Sequence, residues 1–90
     1  MTYTRLNPTD NVMMLRGTAT DANNCTQPGL YDIRASCSNV PNGATWSPLL
    51  VLNDGANLKQ VIYANTTVFW RRRGSGYVWE SWYKVSGTSA

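Results

Sequence analysis

An apolar run without period, Leu49-Leu50-Val51-Leu52, lies between Pro48 and the turn sequence Asn53-Asp54-Gly55-Ala56-Asn57, and this junction constrains the fold more than any other stretch of the chain. The run is too short for a helix and has no polar face, so it reads as a central strand covered from two sides. Asp-Gly is a strong turn signal between antiparallel strands, which makes residues 58–63 the partner strand. Ala64-Asn65-Thr66 reverses the chain into residues 68–73, and Gly74-Ser75-Gly76 reverses it again into residues 77–85. Four strands joined by short turns predict an antiparallel meander.

Upstream, Pro28-Gly29 turns the chain into a strand over residues 30–35. Alternation places Tyr31, Ile33 and Ala35 on its buried face and Leu30, Asp32 and Arg34 on the other. Residues 36–47 contain Asn39, Pro41, Asn42-Gly43 and Trp46, the composition of a loop with one aromatic anchor. Asp21-Ala22-Asn23-Asn24 offers side chains that cap or turn the backbone, in a short helix or further strand. Residues 1–20 read as an N-terminal arm with one strand around 12–16, residues 21–85 as a β knob, and residues 86–90 as a small polar tail that frays. The fold class is all-β.

Composition narrows the function classes. A chain of 90 residues forms one domain that buries only about 60% of the surface its unfolded form exposes, so association with a partner subunit would add needed stability. The net charge is +3, with Arg71, Arg72 and Arg73 adjacent. A nucleic-acid binder spreads more positive charge over one face, because affinity follows the number of phosphates neutralised; the reading therefore sets nucleic acid aside. No apolar run matches a secretory h-region or the ~20 residues that span a bilayer, which predicts synthesis in the cytoplasm and no membrane insertion. Without such a signal, Cys25 and Cys37 are expected to stay reduced thiols. They cannot complete a zinc site where histidine is absent, and no cofactor is expected. Nor is catalysis, since the chain has no histidine to act as a base and only five acids, none paired in a motif. Asp32 and Glu80 are expected to serve as arginine partners rather than as glycosidase acids.

The ordered set Asn23-Asn24, Gly29 and Tyr31, Asn39 and Pro41, residues 49–52, Gln60, Trp70-Arg71, and Trp79 with Trp82 resembles the knob domain of phage tail fibres and of the fibres of phage-tail-like bacteriocins, the pyocins. The resemblance extends over residues 21–85. It implies a homotrimeric fibre component with knobs around a threefold axis, located in the virion after synthesis in the host cytoplasm. The partners it implies are further copies of the chain, other virion or tail proteins, and a host surface polysaccharide. The alternative is a structural virion protein, a capsid decoration or fibre-attachment piece without a ligand of its own.

Within this frame the candidate ligand contacts are Trp46, Asn42, Trp82 and Tyr77. Trp46 lies among Asn42, Thr45 and Ser47, so an indole face with hydrogen-bonding groups at its rim is available to a sugar. In a regular strand Trp79 and Trp82 point to opposite faces, and Trp82, flanked by Glu80 and Lys84, falls on the wetter one. It either covers the sheet or meets a ligand. Trp70, Arg71 and Arg72 are the candidate subunit contacts, with Trp70 and Arg72 on one face and Arg71 on the other; Arg71 alternatively makes a pair within the fold.

Overall fold

The computed structural model describes residues 14–74 and 76–86, so most of the expected arm and the end of the tail lie outside the described residues. Six strands, β1 (Leu15–Asp21), β2 (Gly29–Ser38), β3 (Pro48–Asn53), β4 (Leu58–Tyr63), β5 (Thr67–Arg73) and β6 (Tyr83–Ser86), lie side by side in sequence order in one sheet. The β2 to β6 pairings are all antiparallel, and β1 runs parallel to β2. The all-β meander expected from the turn spacing is present.

Each turn has a local cause. Between β3 and β4 the Asp54 carboxylate accepts hydrogen bonds from the backbone N–H groups of Ala56 and Asn57, at 3.0 and 2.6 Å, while Asn53 Oδ1 accepts from Gly55 N–H at 2.9 Å. These Asx interactions fix the reversal. Thr67, Val68, Phe69 and Trp70 then supply the β-branched and aromatic side chains that suit a pleated surface.

The β1–β2 pair departs most from the expected organisation. Parallel neighbours need a crossover the length of a strand, and residues 22–28 provide one with only a single 3₁₀ turn, Ala22–Asn24. This strap packs on one face of the sheet and buries Ala22 and Cys25 against Ile33, Leu49, Val51, Ile62 and Phe69. Residues 15–20 therefore belong to the sheet rather than to a separate arm, and the strap is the second layer that a sheet requires.

The opposite face has no second layer among the described residues. Register places Leu15, Leu30, Leu50, Val61, Trp70 and Tyr83 in one row across all six strands. Tyr63, Val68 and Val85 form the row beside it. Leu15, Leu52, Tyr63, Tyr83 and Val85 are exposed, and Trp70 stacks on Tyr83 with ring centroids 4.6 Å apart. Cover on both faces of β3 was expected from its sequence. Leu49 and Val51 are buried as expected, whereas Leu50 is half-buried and Leu52 open, because alternate residues meet the strap and solvent respectively.

The β1–β2 junction rests on Gly29. Leu30 N–H donates to Met14 O at 2.8 Å, and Gly29 sits at φ +146° with a Cβ position only 2.5 Å from that same Met14 oxygen. Gly29→Ala is expected to cost about 1–3 kcal/mol from backbone strain alone and to loosen β1. Urea denaturation with hydrogen exchange at the Leu30 amide checks this: faster exchange there, with β4 and β5 amides still the slowest, is the expected pattern.

Candidate functional site

A strap without regular structure leaves its backbone carbonyls in need of donors, since buried carbonyls are almost always paired. Side chains from the sheet provide them. Gln60 on β4, wholly buried, donates from Nε2 to Ala22 O at 2.6 Å and to Cys25 O at 2.9 Å. Its Oε1 accepts from Arg71 Nε at 2.9 Å, and Arg71 Nη2 reaches Asn23 Oδ1 at 2.9 Å. Gln60 and Arg71 are register partners on β4 and β5, which is why the two side chains meet under the strap.

Arg71 is only 4% exposed, and no carboxylate lies within ion-pair distance of it among the described residues. Two indoles pack on its guanidinium instead, with Cζ 4.2 Å from the Trp79 ring centroid and 4.4 Å from that of Trp82. Desolvated contacts of this kind contribute about 2 kcal/mol each. The indole N–H groups extend the network: Trp79 donates to Asn23 O at 3.1 Å, and Trp82 to Asn39 O at 3.0 Å. Asn39 in turn donates to Asp21 Oδ1 at 2.7 Å, which also accepts from Asn23 N–H at 2.9 Å. Burial pushes the Arg71 pKa down to about 10, so the side chain remains a cation at neutral pH.

Trp79 and Trp82 meet the same cation because residues 79–82 are not a regular strand. Trp79 makes an isolated bridge to Arg73 and β6 begins only at Tyr83, so the alternation expected from residue 77 onwards does not apply. Trp82, a candidate ligand contact, is half-buried in this internal network. Arg71, a candidate subunit contact, is inside the fold, in the alternative position weighed for it. Trp70 and Arg72 do share the open face, where Arg72 pairs with both Glu80 oxygens at 3.0 Å. Asp32 likewise pairs with Arg34, so both acids serve as arginine partners as expected.

Two other candidates stand free on loops. Trp46 is 68% and Tyr77 80% exposed, and both hold positive φ, 64° and 63°. For bulky residues this is an uncommon conformation, and such strain concentrates at functional sites. At Trp46 the cause is a bulge: Ile33 N–H donates to Ser47 O at 3.1 Å while Ile33 O accepts from Trp46 N–H at 2.7 Å, so two residues oppose one. At Tyr77 a reversal is closed by Tyr77 N–H to Gly74 O at 3.2 Å and Gly74 N–H to Val78 O at 2.9 Å. An arginine packs on each ring, Arg34 at 5.3 Å from Trp46 and Arg73 at 4.9 Å from Tyr77. Asn42 is exposed on the loop that carries Trp46. The fold does not bring Trp46 and Tyr77 together: the β2–β3 loop and the β5–β6 connection leave opposite ends of the sheet.

Beside Tyr77 lies a polar cleft of about 830 Å³ between the β3–β4 turn and the β5–β6 connection, with Lys59, Arg72, Arg73 and Glu80 among its lining residues. Sequence reasoning passed over Lys59. Nothing local in the sequence singles it out; its position opposite Arg72, a like-charge pair that a sheet ordinarily avoids, exists only in the folded sheet. Both thiols are free; burial pushes Cys25 up to about 11 and raises Cys37 as well, which leaves them protonated and poorly nucleophilic at neutral pH. Among the described residues no three of the Cys, Asp and Glu side chains gather where a metal could sit.

Comparison with known proteins returned no matching family, no matching curated protein and no matching solved structure.

Two predictions follow from the network. Gln60→Leu strands two strap carbonyls and the buried Arg71 Nε, and is expected to cost about 3–5 kcal/mol. Arg71→Met leaves only neutral acceptors unpaired and is expected to cost less, about 2–4 kcal/mol. Urea midpoints with tryptophan fluorescence rank the two. Separately, the Asn39 amide and Asn23 N–H hold the Asp21 carboxyl below its ordinary 3.8, and the Asn57 and Ala56 N–H groups do the same for Asp54. The fold favours both charged forms, so this stability is complete above the ordinary value and lost as pH falls through the lowered one. Unfolding free energy should be flat from neutrality to the carboxylate range and fall below it, with a shallower fall in Asp21→Asn.

Proposed function

We propose that this chain is an attachment module of a virion or phage-tail-like fibre, a knob that binds a host-surface glycan without transforming it. The observation that carries the reading is the pair of exposed aromatic side chains, Trp46 and Tyr77, held at positive φ on loops of a sheet. Loops on a rigid β scaffold are the usual place for recognition, and strain there is retained only where the surroundings over-determine it. An indole or phenol ring offers an apolar face to sugar C–H groups, and neighbouring amides and hydroxyls can take the sugar hydroxyls. Further support comes from the residues that carry the resemblance to fibre knobs: Asn23, Asn39, Gln60, Arg71, Trp79 and Trp82 all belong to one network. They hold the scaffold together and leave the Trp46 and Tyr77 rings outside it.

The module works as a homotrimer, with other virion or tail proteins as its neighbours. Copies meet through the open sheet face. Six strands about 4.8 Å apart and a few residues long give this face a footprint on the order of 500 Å². Side-chain relief raises that toward the ~800 Å² per partner of a stable interface, and isolated domains seldom leave so large an apolar patch bare. The same face supports the second reading, a structural virion component whose sheet docks on identical neighbours and whose loops bind nothing.

Light scattering of the purified protein should give three times the mass of the 10.0 kDa chain, and Leu50→Lys should give a folded monomer. A wild-type monomer at all concentrations would remove the assembly claim. Trp46→Ala should leave melting temperature and mass unchanged while reducing attachment to host cells or their surface polysaccharide. Unchanged attachment in both Trp46→Ala and Tyr77→Ala would favour the structural component.

A further inference from the structure

We infer that the cleft beside Tyr77 is a subsite for an acidic sugar, one that carries a carboxylate or phosphate on its ring. This rests on the attachment reading and adds the chemical class of the ligand. Three independent features converge there. The first is charge: Lys59, Arg72 and Arg73 line the cleft, and Glu80 is committed to Arg72 through both oxygens. Lys59 and Arg73 have no carboxylate within ion-pair distance among the described residues. The nearby Asp54 carboxylate is turned into its own turn, where the backbone N–H groups of Ala56 and Asn57 hold it. The two uncommitted cations stand on different sides of the sheet end: Lys59 beside Arg72 on the open face, and Arg73, the register partner of buried Leu58, on the strap side, where it lies against Tyr77.

The second feature is orientation. Arg73 stacks on Tyr77 with Cζ 4.9 Å from the ring centroid. A guanidinium that stacks by its face keeps the N–H groups of its edge free for bidentate pairing with an anion. The third is the ring itself. Tyr77 is the most exposed large hydrophobic side chain among the described residues, at 80%, and its positive φ of 63° is held by the hydrogen bonds at Gly74. One ring surface rests on Arg73, which leaves the remainder to a sugar placed with its acid group toward Arg73. A cleft of about 830 Å³ accommodates one or two pyranose rings.

The cation beside the ring also selects. A neutral glycan gains the ring contact but must leave Arg73 partly desolvated and unmatched, whereas an acidic one neutralises it. Binding should accordingly weaken with salt, since the cleft is open and its charges are screened.

The test uses the whole chain, with a glucuronic-acid oligosaccharide, its neutral glucose counterpart, a sugar phosphate and inorganic phosphate as probes in calorimetry at low salt. The expected result is binding of the two acidic sugars about tenfold tighter than the neutral one, with inorganic phosphate a weak competitor. Arg73→Gln should erase that difference without altering the melting temperature or weakening the neutral sugar, and Lys59→Gln, an exposed position on the opposite face of the sheet, should leave it in place. Equal binding of acidic and neutral sugars overturns the subsite while the attachment reading survives. Inorganic phosphate competing as well as the sugar acids overturns the sugar requirement and leaves an anion site. Binding of no probe, with host attachment unaffected by Trp46→Ala and Tyr77→Ala, overturns both.

Discussion

A buried guanidinium with no carboxylate in ion-pair distance among the described residues organises this protein. Arg71 brings a full charge to a position nearly closed to water, which is unfavourable unless every face and edge of the group finds a partner. Gln60 Oε1 and Asn23 Oδ1 take its N–H groups, and the Trp79 and Trp82 rings take its faces. Each of those partners is anchored to a different segment: Gln60 to β4, Asn23 to the strap, and the indoles to the irregular stretch before β6. Satisfying one cation therefore ties together parts of the chain far apart in sequence. In a domain of this size, whose total stability is of the order of 5–10 kcal/mol, that connection acts alongside the apolar cluster that buries Ala22 and Cys25 against the sheet.

The same arrangement explains the unequal faces of the sheet. The strap, the two indoles and the loop after β2 cover one side and supply its second layer. Nothing among the described residues covers the other, where an apolar row runs the full width of the sheet. The chain is thus stabilised internally on one face by polar interlock and left on the other with the surface that association would bury. The Trp46 and Tyr77 side chains, on loops at the two ends of the sheet, stand exposed outside both.

The candidate site was legible in part. Trp46 could be singled out because its segment held few apolar neighbours to bury it, and it is indeed exposed. The role of Trp82 was not legible, because reading its direction required knowing where β6 begins. Residues 77–82 carry strand-like composition, but the bond from Glu80 N–H to Arg72 O and the bridge at Trp79 hold them in an irregular path. Once regular alternation fails, both tryptophans turn to one cation. Lys59 and Arg73 gave no distinctive sequence signal. Each is one basic residue in a mixed strand, and only register and the turn opposite place them around one cleft.

What the sequence by itself determined is local: the apolar run of β3, the Asx turn after it, and the alternation of β4 and β5 depend on neighbours within a few residues, and those elements form as read. The parallel placement of β1 and the openness of the outer face were decided by tertiary structure. Both depend on where residues 22–28 lie, and that path is set by Gln60 on β4 donating to the strap's backbone carbonyls and Arg71 on β5 donating to the Asn23 side chain. A crossover has no periodicity of its own to reveal it. Its position is a matter of which distant donors reach it, a relation that exists only after the chain has folded.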